Sequence, residues 1–300
     1  MICDGFFSDV LKRSECEFEK NKDIGSISSV GISSVVSAIA YPDTEEKLIS
    51  VIGGLNEVGI QYIVLGRMSN ILFKDDFYNG VVIKTTKING YSEAENKIIA
   101  SCGASLSAIV RKAAKLDLGG MEGLVGIPGT LGGMIRQNAG AFGYEMSDRF
   151  ISATCFIPST GKISAFSKDG MRFSYRKSML CEEKAILIKA TFELIHKKYG
   201  DIIEEIADYK NRRLTSQPLE YPSLGSVFKR HNGISAGFYI DKAGLKGYKI
   251  GGACVSKKHA GFIINEGGAT AQDYLKLIDY VKERVFTEFS IELEEEIEII

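Results

Sequence analysis

Apolar residues recur along the chain at two spacings, one typical of amphipathic helices and one typical of strands. Residues 1–20 carry Phe6, Phe7, Val10 and Leu11 on one side of a helical projection. Apolar residues three and four positions apart form such a stripe, so this segment is predicted as an amphipathic helix. The next stretch, DIGSISSVGISSVVSAIAYP, is rich in serine, glycine and β-branched residues. That composition favours a strand, a turn and a second strand.

A second helix is predicted to begin just after Pro42 and to end near Val58. Pro42 holds the preceding residue in an extended conformation. Asp43 is a candidate N-cap, and Glu46 has the spacing of a capping box. Gly59 is a typical helix terminator.

The remaining elements follow from the same two periods. Strands are predicted where β-branched and aromatic residues cluster: QYIVLG, VVIKT, KIIAS, FISATCFI, KISAF and AILIKATFELI. The last three are expected in an antiparallel or mixed sheet. Helices are predicted at residues 105–116, 202–213, 236–243 and 271–289, and the final segment, IELEEEIEII, is predicted as a strand.

Composition and charge exclude several classes of protein. The chain has 37 basic and 38 acidic residues, so no global positive field holds a nucleic-acid backbone. No apolar run approaches the ~20 residues of a membrane span, and the first twenty residues lack the apolar run of a signal peptide. We therefore expect a cytoplasmic protein with neither a nucleic acid nor a membrane as partner.

The cysteines and histidines predict no metal site. Six cysteines are scattered without a C-x-x-C pair, and the three histidines are dispersed. Neither a zinc site nor a disulfide framework has such spacing, so reduced thiols are expected.

The segment from Gly119 to Gly143 is the most unusual part of the chain, with nine glycines in 25 residues. Average composition gives about two. Glycine reaches positive φ and lets a backbone approach a ligand closely. Apolar residues within the segment can anchor it to a core, so it is predicted to cradle a phosphate or a cofactor. A set of tight turns between short strands is the alternative.

Three further segments carry candidate chemistry. LGRMSNIL (65–72) places a glycine and a Ser-Asn pair after a strand, which suits phosphate oxygens, although an ordinary turn would look the same. In FSYRKS (173–178), if it is extended, Tyr175 and Arg176 lie on different faces, and the guanidinium can bind a carboxylate; a surface arginine is the alternative. In PSLGSVFKR (222–230), Pro222 and Gly225 present Ser226, which could donate a proton or be a plain turn residue.

The C-terminal strand offers carboxylates. Under period-2 alternation, Glu292, Glu294, Glu296 and Glu298 share one face. A solvated edge is the ordinary interpretation, and one carboxylate directed into a cleft is the functional one.

The order of these segments resembles the UDP-N-acetylenolpyruvoylglucosamine reductases (MurB), in the shorter type of that family. The matching segments cover residues 25–300 and are LGRMSNILF, EGLVGIPGTLGGMIRQNAGAFGYEMSD, FSYRKS, PSLGSVFKR, AGFYIDKAGLKG, VSKKHAGFIIN and LEEEI. The resemblance implies an α+β fold: an FAD-binding fold of the vanillyl-alcohol oxidase (PCMH) type, with a C-terminal α+β substrate-binding domain. It implies three domains: 1–80 and 81–214 as two FAD-binding subdomains, and 215–300 for the substrate. Pro218 and Pro222, two of five prolines, mark the last boundary.

The resemblance also implies an activity and its residues. The family reduces an enolpyruvyl UDP-sugar with bound FAD, using NADPH as hydride donor. Catalytic roles carry over to Arg176, Ser226 and Glu296, with Glu295 as an alternative to the last. FAD contacts carry over to Gly66, Ser69, Asn70, Gly129, Thr130, Gly133, Asn138, Ala139 and Gly140. Substrate contacts carry over to Tyr175 and Lys229, and Arg230 is added as a candidate for the diphosphate.

Two departures from the family pattern keep other functions open. Met68 stands where many relatives have glycine, and Arg230-His231 stand where they have Asn-Pro. The alternatives are another flavin-dependent oxidoreductase of the same fold, or a paralogue that binds flavin or UDP-sugar without catalysis.

Overall fold

The N-terminal helix is shorter than the sequence predicts. The structure, a computed structural model, describes residues 4–300, with side chains from Phe7 onward; Phe6 lies outside the described side chains. The first helix ends at Arg13, where the chain leaves it through Glu15 at φ +49°. Residues 17–23, predicted as part of the helix, form a strand instead. Their alternating EFEKNKD pattern places the half-buried Phe18 inward among polar neighbours.

Eight helices occur within residues 4–300. They are α1 (Asp4–Arg13), α2 (Glu45–Glu57), α3 (Leu106–Ala114), α4 (Leu131–Arg136), α5 (Met179–Glu182), α6 (Tyr199–Ser216), α7 (Ala236–Lys242) and α8 (Ala271–Phe289). Helix α2 begins at a different cap from the predicted Asp43: the Thr44 side chain accepts a hydrogen bond from the Lys47 amide at 3.2 Å. Asp43 pairs instead with the Lys47 ammonium.

The strands of the same residues are mostly short. They are β1 (Glu17–Asp23), β2 (Val35–Tyr41), β3 (Tyr62–Leu65), β4 (Ile71–Leu72), β5 (Phe77–Lys84), β6 (Tyr91–Ala94), β7 (Lys97–Ser101), β8 (Leu118–Gly119), β9 (Gly140–Ala141), β10 (Tyr144–Glu145), β11 (Phe150–Ile157), β12 (Lys162–Ser167), β13 (Ile186–Glu193), β14 (Ile195–His196), β15 (Ser223–Ser226), β16 (Lys249–Ile250), β17 (Ala253–Val255), β18 (Phe262–Asn265) and β19 (Glu298–Ile299).

The chain folds into two compact units. The first comprises residues 1–20, 37–67 and 79–212, and the second comprises residues 21–36, 68–78 and 213–300. The three-domain division predicted above stays a prediction.

The first unit is built on two sheets. One has the order β1-β2-β5-β3, with β3 and β5 parallel. The other is antiparallel with the order β12-β11-β13-β7-β6. The sequence predicts an antiparallel or mixed sheet for β11, β12 and β13, and the structure adds β7 and β6 to it. Buried side chains of α2 and α3 join the same hydrophobic core as these strands. This core anchors the glycine-rich segment through Leu124, Leu131 and Ile135.

The second unit is built on a four-stranded antiparallel sheet of order β15-β18-β17-β16 and on the long helix α8. Apolar residues of α8 recur every three or four positions and are buried against this sheet: Tyr274, Leu277, Ile278, Val281 and Val285. Thr270 and Asp273 form a capping box that fixes the start of the helix. The sheet and helix together hold the strand that ends at Ser226.

Candidate functional site

The glycine-rich segment folds as a series of short elements. Between Gly119 and Gly143 lie the end of β8, a 3₁₀ turn at Glu122–Leu124, the short helix α4 and strand β9. Gly120, Gly126, Gly129 and Gly143 have positive φ, so the segment contains the tight turns of the alternative interpretation. Those turns do not exclude a ligand: the amides of Gly120 and Gly126 are bonded to side chains of the protein, whereas no such bond engages the amide of Gly129 among the described residues.

Gly66 and Thr130, predicted as FAD contacts from two distant segments, lie directly against each other. A Cβ atom added to Gly66 would lie 2.0 Å from Thr130 Oγ1 and 3.0 Å from Thr130 Cβ. Thr130 is 3% exposed, so it has little room to move away. Only glycine therefore allows the two segments to meet.

The amides beside this contact fit a phosphate. Within residues 4–300, the backbone amides of Gly129 and Thr130 donate no hydrogen bond to the protein. A Cβ atom on Gly133 would meet nothing within 4 Å. Gly129 is half-buried and Thr130 is buried. A buried amide without a partner is costly unless a ligand satisfies it, and phosphate oxygens suit adjacent amides of this kind. The residues present therefore fit the pyrophosphate of FAD at Gly66, Gly129, Thr130 and Gly133.

Asn138, Ala139 and Gly140 have structural partners of their own. The buried Asn138 side chain donates to Glu145 Oε2 at 2.9 Å and to the Ser174 carbonyl at 3.2 Å. The Ala139 amide donates to the Met134 carbonyl. A Cβ atom on Gly140 would lie 2.7 Å from the Tyr144 carbonyl oxygen, so close packing of the β9–β10 hairpin requires glycine. Their contact with FAD stays a prediction.

Glu122 is a residue of this region that the sequence predictions missed. It is fully buried, and its Oε2 accepts the Gly120 amide at 2.8 Å. Its Oε1 lies 3.2 Å from Lys197 Nζ, close enough for an ion pair but too poorly aligned to count as a hydrogen bond. Lys197 also bonds Glu205 at 2.5 Å. Glu122 is the only charged residue between Asp117 and Arg136, and that isolation in an apolar, glycine-rich run was the available signal.

Lys197→Met should destabilise the protein by about 3 kcal/mol, because it leaves the Glu122 carboxylate buried without its counter-charge. Burial by itself would lower the pKa of Lys197, but pairing with Glu205 and Glu122 raises it, so the lysine is charged. Denaturant unfolding of Lys197→Met, Glu122→Gln and the double variant measures the coupling. The double variant should lose less free energy of unfolding than Lys197→Met alone. Equal losses would show that the ion pair does not stabilise this segment.

Arg176 lies at the tip of a tight turn, so the conditional extended arrangement of FSYRKS is wrong. Ser174 and Lys177 exchange both backbone hydrogen bonds at 3.1 Å, which makes Tyr175 and Arg176 the central residues. Arg176 has φ +57°, a conformation usually left to glycine at this turn position. Its guanidinium lies 4.8 Å from the Tyr175 ring centre and donates to the Gly140 carbonyl. Strained backbone of this kind clusters at functional sites.

In the second unit, Ser226 ends strand β15 directly after Gly225, whose φ is +78°. The adjacent Val227 amide donates to the Gly261 carbonyl at 2.9 Å. A Cβ atom on Gly261 would lie 3.2 Å from Ser226 Oγ and 3.0 Å from His259 Cε1. The serine hydroxyl and the imidazole are therefore neighbours, which the sequence did not indicate.

The His259 ring is held in one orientation. The Gly261 amide donates to Nδ1 at 3.1 Å, and the ring packs edge-on against Phe262 with centres 4.9 Å apart. An accepting Nδ1 places the proton of the neutral ring on Nε2. Burial lowers the pKa of His259 below its ordinary 6.5, so the ring is neutral at pH 7.

The lowered pKa predicts a loss of stability in acid. The unfolded chain binds a proton at His259 more readily than the folded chain does, so the free energy of unfolding declines as pH falls below about 6.5. His259→Gln removes this titration, whereas His196→Gln changes an exposed imidazole in strand β14 and is the matched control. Denaturant unfolding near pH ~7.5 and pH ~5.5 should give a smaller decline for His259→Gln than for wild type. An unchanged decline would contradict the assignment.

The C-terminal segment is not one regular strand, so the alternation of glutamates predicted for it is wrong. Glu295 bridges to Phe228, and the chain bends at residues 296–297 before Glu298–Ile299 pair with Ile71–Leu72. The segment changes partners at this bend, which breaks the period of two. The sequence pattern could not show where the partner changes.

The bend brings Ser226 and Glu296 together. The Glu296 amide donates to the carbonyl of Val227, the residue after Ser226, at 2.7 Å. The neighbouring Glu295 is paired with Lys282 at 2.7 Å, so its carboxylate is already engaged. The catalytic role of Glu296, with Glu295 as the alternative, stays a prediction.

The remaining predicted residues lie nearby in the same unit or at its turns. Lys229 Nζ forms an ion pair with Glu294, and Arg230 donates to the Gly233 carbonyl at 3.3 Å. His231 and Ile234 exchange backbone bonds across Asn232-Gly233, both with positive φ. Asn-Gly is a strong hairpin signal that the sequence predictions missed.

The turn at 65–70 is shared between the two units, since residue 67 ends a segment of the first and residue 68 begins one of the second. Ser69 is half-buried. The buried Met68 has φ +51°, which explains why glycine suits this position. Asn70 donates its side-chain amide to the Glu296 carbonyl at 3.0 Å.

Comparison with known proteins decides the family. Residues 217–300 match the model of the UDP-N-acetylenolpyruvoylglucosamine reductase C-terminal domain, and residues 36–167 match an FAD binding domain. A UDP-N-acetylenolpyruvoylglucosamine reductase of Caldicellulosiruptor saccharolyticus is 43% identical over 98% of this chain and 95% of its own. One of Caldanaerobacter subterraneus is 41% identical over 97% of this chain and 96% of its own. The chain belongs to the UDP-N-acetylenolpyruvoylglucosamine reductase family.

A solved structure of a member of this reductase family supports the same assignment. The enzyme from Thermus caldophilus is 30% identical, with a TM-score of 0.79 over 95% of this chain and 98% of its own. The predicted α+β fold with an FAD-binding domain and a C-terminal substrate-binding domain is confirmed, as is the predicted membership of the reductase family. Among the helices of residues 4–300, none combines the length and apolar composition that a membrane crossing needs.

Proposed function

We propose that the protein reduces UDP-N-acetylglucosamine enolpyruvate to UDP-N-acetylmuramate, with bound FAD and with NADPH as hydride donor. The observation that carries this proposal is the match to reductases of this name over 98% of the chain. The reaction would supply a peptidoglycan precursor, and through it cell-wall biogenesis, cell shape and division. Its water-soluble reactants support a cytoplasmic location.

The site residues have chemistry that suits the reaction. The hydride chemistry, from NADPH to C3 of the enolpyruvyl group, would be supplied by FAD held at Gly66, Gly129 and Thr130. Negative charge then develops at C2 and on the substrate carboxylate. The Arg176 guanidinium, fixed by its turn and by the Tyr175 ring, would stabilise that charge in the transition state more than in the ground state.

Ser226 would donate the proton to C2, and Glu296 would act beside it. A hydroxyl is a weak acid, so it needs neighbours that stabilise the oxygen after the proton leaves. The imidazole of His259 beside Ser226 is one such polar group. Lys229, Arg230 and Tyr175 would bind the substrate. The two cationic side chains, Lys229 and Arg230, would contact its diphosphate.

The absorbance spectrum and NADPH oxidation test this function. The purified protein should show flavin absorbance, and the enolpyruvyl sugar nucleotide should stimulate NADPH oxidation. A flavin-containing protein without that stimulation would contradict the proposal. Arg230-His231, which left another oxidoreductase open, belong to a tight hairpin turn, so no observation favours that second function.

Arg176→Gly should remove catalysis without removing the fold. Glycine adopts φ +57° freely, so the variant should unfold within about 1 kcal/mol of wild type, while turnover falls about 100-fold or more. Arg172→Gly is the matched control, because Arg172 also has positive φ, at +46°, and pairs with Glu182 and Glu183 on the surface. Steady-state rates and denaturant unfolding measure both properties; equal turnover of the two variants would contradict the role of Arg176.

A further inference from the structure

Asn70 lies where the C-terminal segment changes its strand partner. Before the bend, the Glu296 amide donates to the Val227 carbonyl at 2.7 Å. After the bend, the Glu298 amide donates to the Asn70 carbonyl at 2.9 Å. Between these two bonds, the carbonyl of Glu296 has no strand on which to pair, and it accepts the Asn70 side-chain amide at 3.0 Å.

These bonds fix Glu296 from both sides. Its amide donates to the strand that follows Ser226 and its carbonyl accepts the Asn70 amide, so both flanking peptides are hydrogen-bonded. The next amide, that of Ile297, makes a longer bond of 3.5 Å to the same Val227 carbonyl. The direction of the Glu296 side chain follows from the orientation of those peptides. The hydrogen bonds from Ile300 to Leu72 and from Lys74 to Ile300 secure the rest of the segment but not this bend.

The residue type suits this contact. An asparagine side chain carries an N–H donor, whereas an ionised aspartate would place negative charge against the carbonyl oxygen. A serine hydroxyl ends one atom earlier and does not span the same distance. The bond joins residues 226 positions apart in the chain.

We propose that Asn70 is a positioning residue for Glu296, which it fixes relative to Ser226, in addition to its predicted contact with FAD. The catalytic part of this inference rests on the proposed function, because it takes Glu296 as a catalytic group. The structural part, that Asn70 orders the bend at residues 296–297, does not depend on the reaction.

Stopped-flow measurement of the two half-reactions of the holoenzyme tests the catalytic part. With FAD kept saturating, Asn70→Ser should slow reoxidation by the enolpyruvyl substrate about 10- to 100-fold more than it slows flavin reduction by NADPH, as a misplaced group does. Asn96→Ser is the matched control, because it removes a hydrogen bond from an asparagine side-chain amide to a backbone carbonyl, that of Leu194, in the first unit. It should change neither half-reaction.

A double variant separates positioning from general damage. If Asn70 acts through Glu296, Asn70→Ser should slow reoxidation little further in a Glu296→Gln background. The same fold-loss in both backgrounds would overturn the proposal, as would a loss of FAD affinity with unchanged reoxidation. If Asn70→Ser does not fold, Asn70→Asp removes the donor with nearly the same shape, and the same outcomes decide.

Hydrogen exchange tests the structural part independently of activity. The amides of Glu296 and Glu298 should exchange about tenfold faster or more in Asn70→Ser than in wild type, while amides of β13 stay unchanged. Unchanged exchange at both would overturn the positioning role. If the wild type itself is not reoxidised by the enolpyruvyl sugar nucleotide, the proposed function fails, and the exchange result still decides whether Asn70 orders this bend.

Discussion

Ser226→Ala should leave flavin reduction by NADPH intact and slow reoxidation by the enolpyruvyl substrate about 10²- to 10⁴-fold, the usual loss when a positioned acid is removed. The two half-reactions differ because only the second needs a proton at C2. The hydroxyl is half-buried at the end of β15, and its removal leaves the Val227–Gly261 backbone bond in place. We therefore expect a folded, yellow protein with one defective half-reaction.

Ser223→Ala is the control for this experiment. Ser223 starts the same strand, three residues before Ser226, and its backbone pairs opposite Ile264. It should change neither half-reaction by more than about twofold, since surface hydroxyls contribute little. Equal slowing of both half-reactions by Ser226→Ala would remove this serine from the role of acid.

Gly66→Ala should have the largest effect on the cofactor-binding unit. The new methyl group would lie 2.0 Å from Thr130 Oγ1 and 3.0 Å from its Cβ. Rotation of the threonine moves Oγ1 but not Cβ, so the two segments must separate. Overpacking of this kind costs about 1–3 kcal/mol, and the separation should also move the amides of Gly129 and Thr130 that fit a phosphate.

Two other glycines of the same unit serve as controls. Gly53→Ala lies in α2, where a Cβ atom meets nothing within 4 Å, so it should be neutral or stabilise the protein by up to about 1 kcal/mol. Gly133→Ala also meets no protein atom; its apoprotein should be stable, while its FAD content reports whether the cofactor covers it. Thermal unfolding of apoprotein and the ratio of flavin to protein absorbance measure the two effects. Full FAD content in Gly66→Ala would contradict a phosphate site at the contact of Gly66 with Thr130.

The sequence predicted elements well where a local pattern and a core agreed. Helix α8 has its predicted bounds, residues 271–289, because a single apolar stripe runs its whole length and faces one sheet. The strands β11, β12 and β13 were predictable because β-branched and aromatic residues cluster in them, and side chains of all three contribute to one core. The glycine-rich segment was recognisable because its apolar anchors and its turns both leave local signals.

Features that depend on distant partners were not predictable. The bend at residues 296–297 arises because the segment pairs first with Phe228 and then with β4, and neither choice is visible in IELEEEIEII. The turn at Arg176 was missed because the positive φ that this turn position requires is usually adopted by glycine or asparagine, not by arginine. The site residues carried over from family resemblance stay predictions, and the structure adds Glu122, His259 and the bond from Asn70 to Glu296.

The most direct test of the proposed reaction is anaerobic reoxidation of the NADPH-reduced holoenzyme by UDP-N-acetylglucosamine enolpyruvate, followed by flavin absorbance. We predict that the oxidised flavin spectrum returns with one equivalent of substrate and that UDP-N-acetylmuramate forms in the same amount. A reduced spectrum that persists in the presence of substrate would contradict the proposed function.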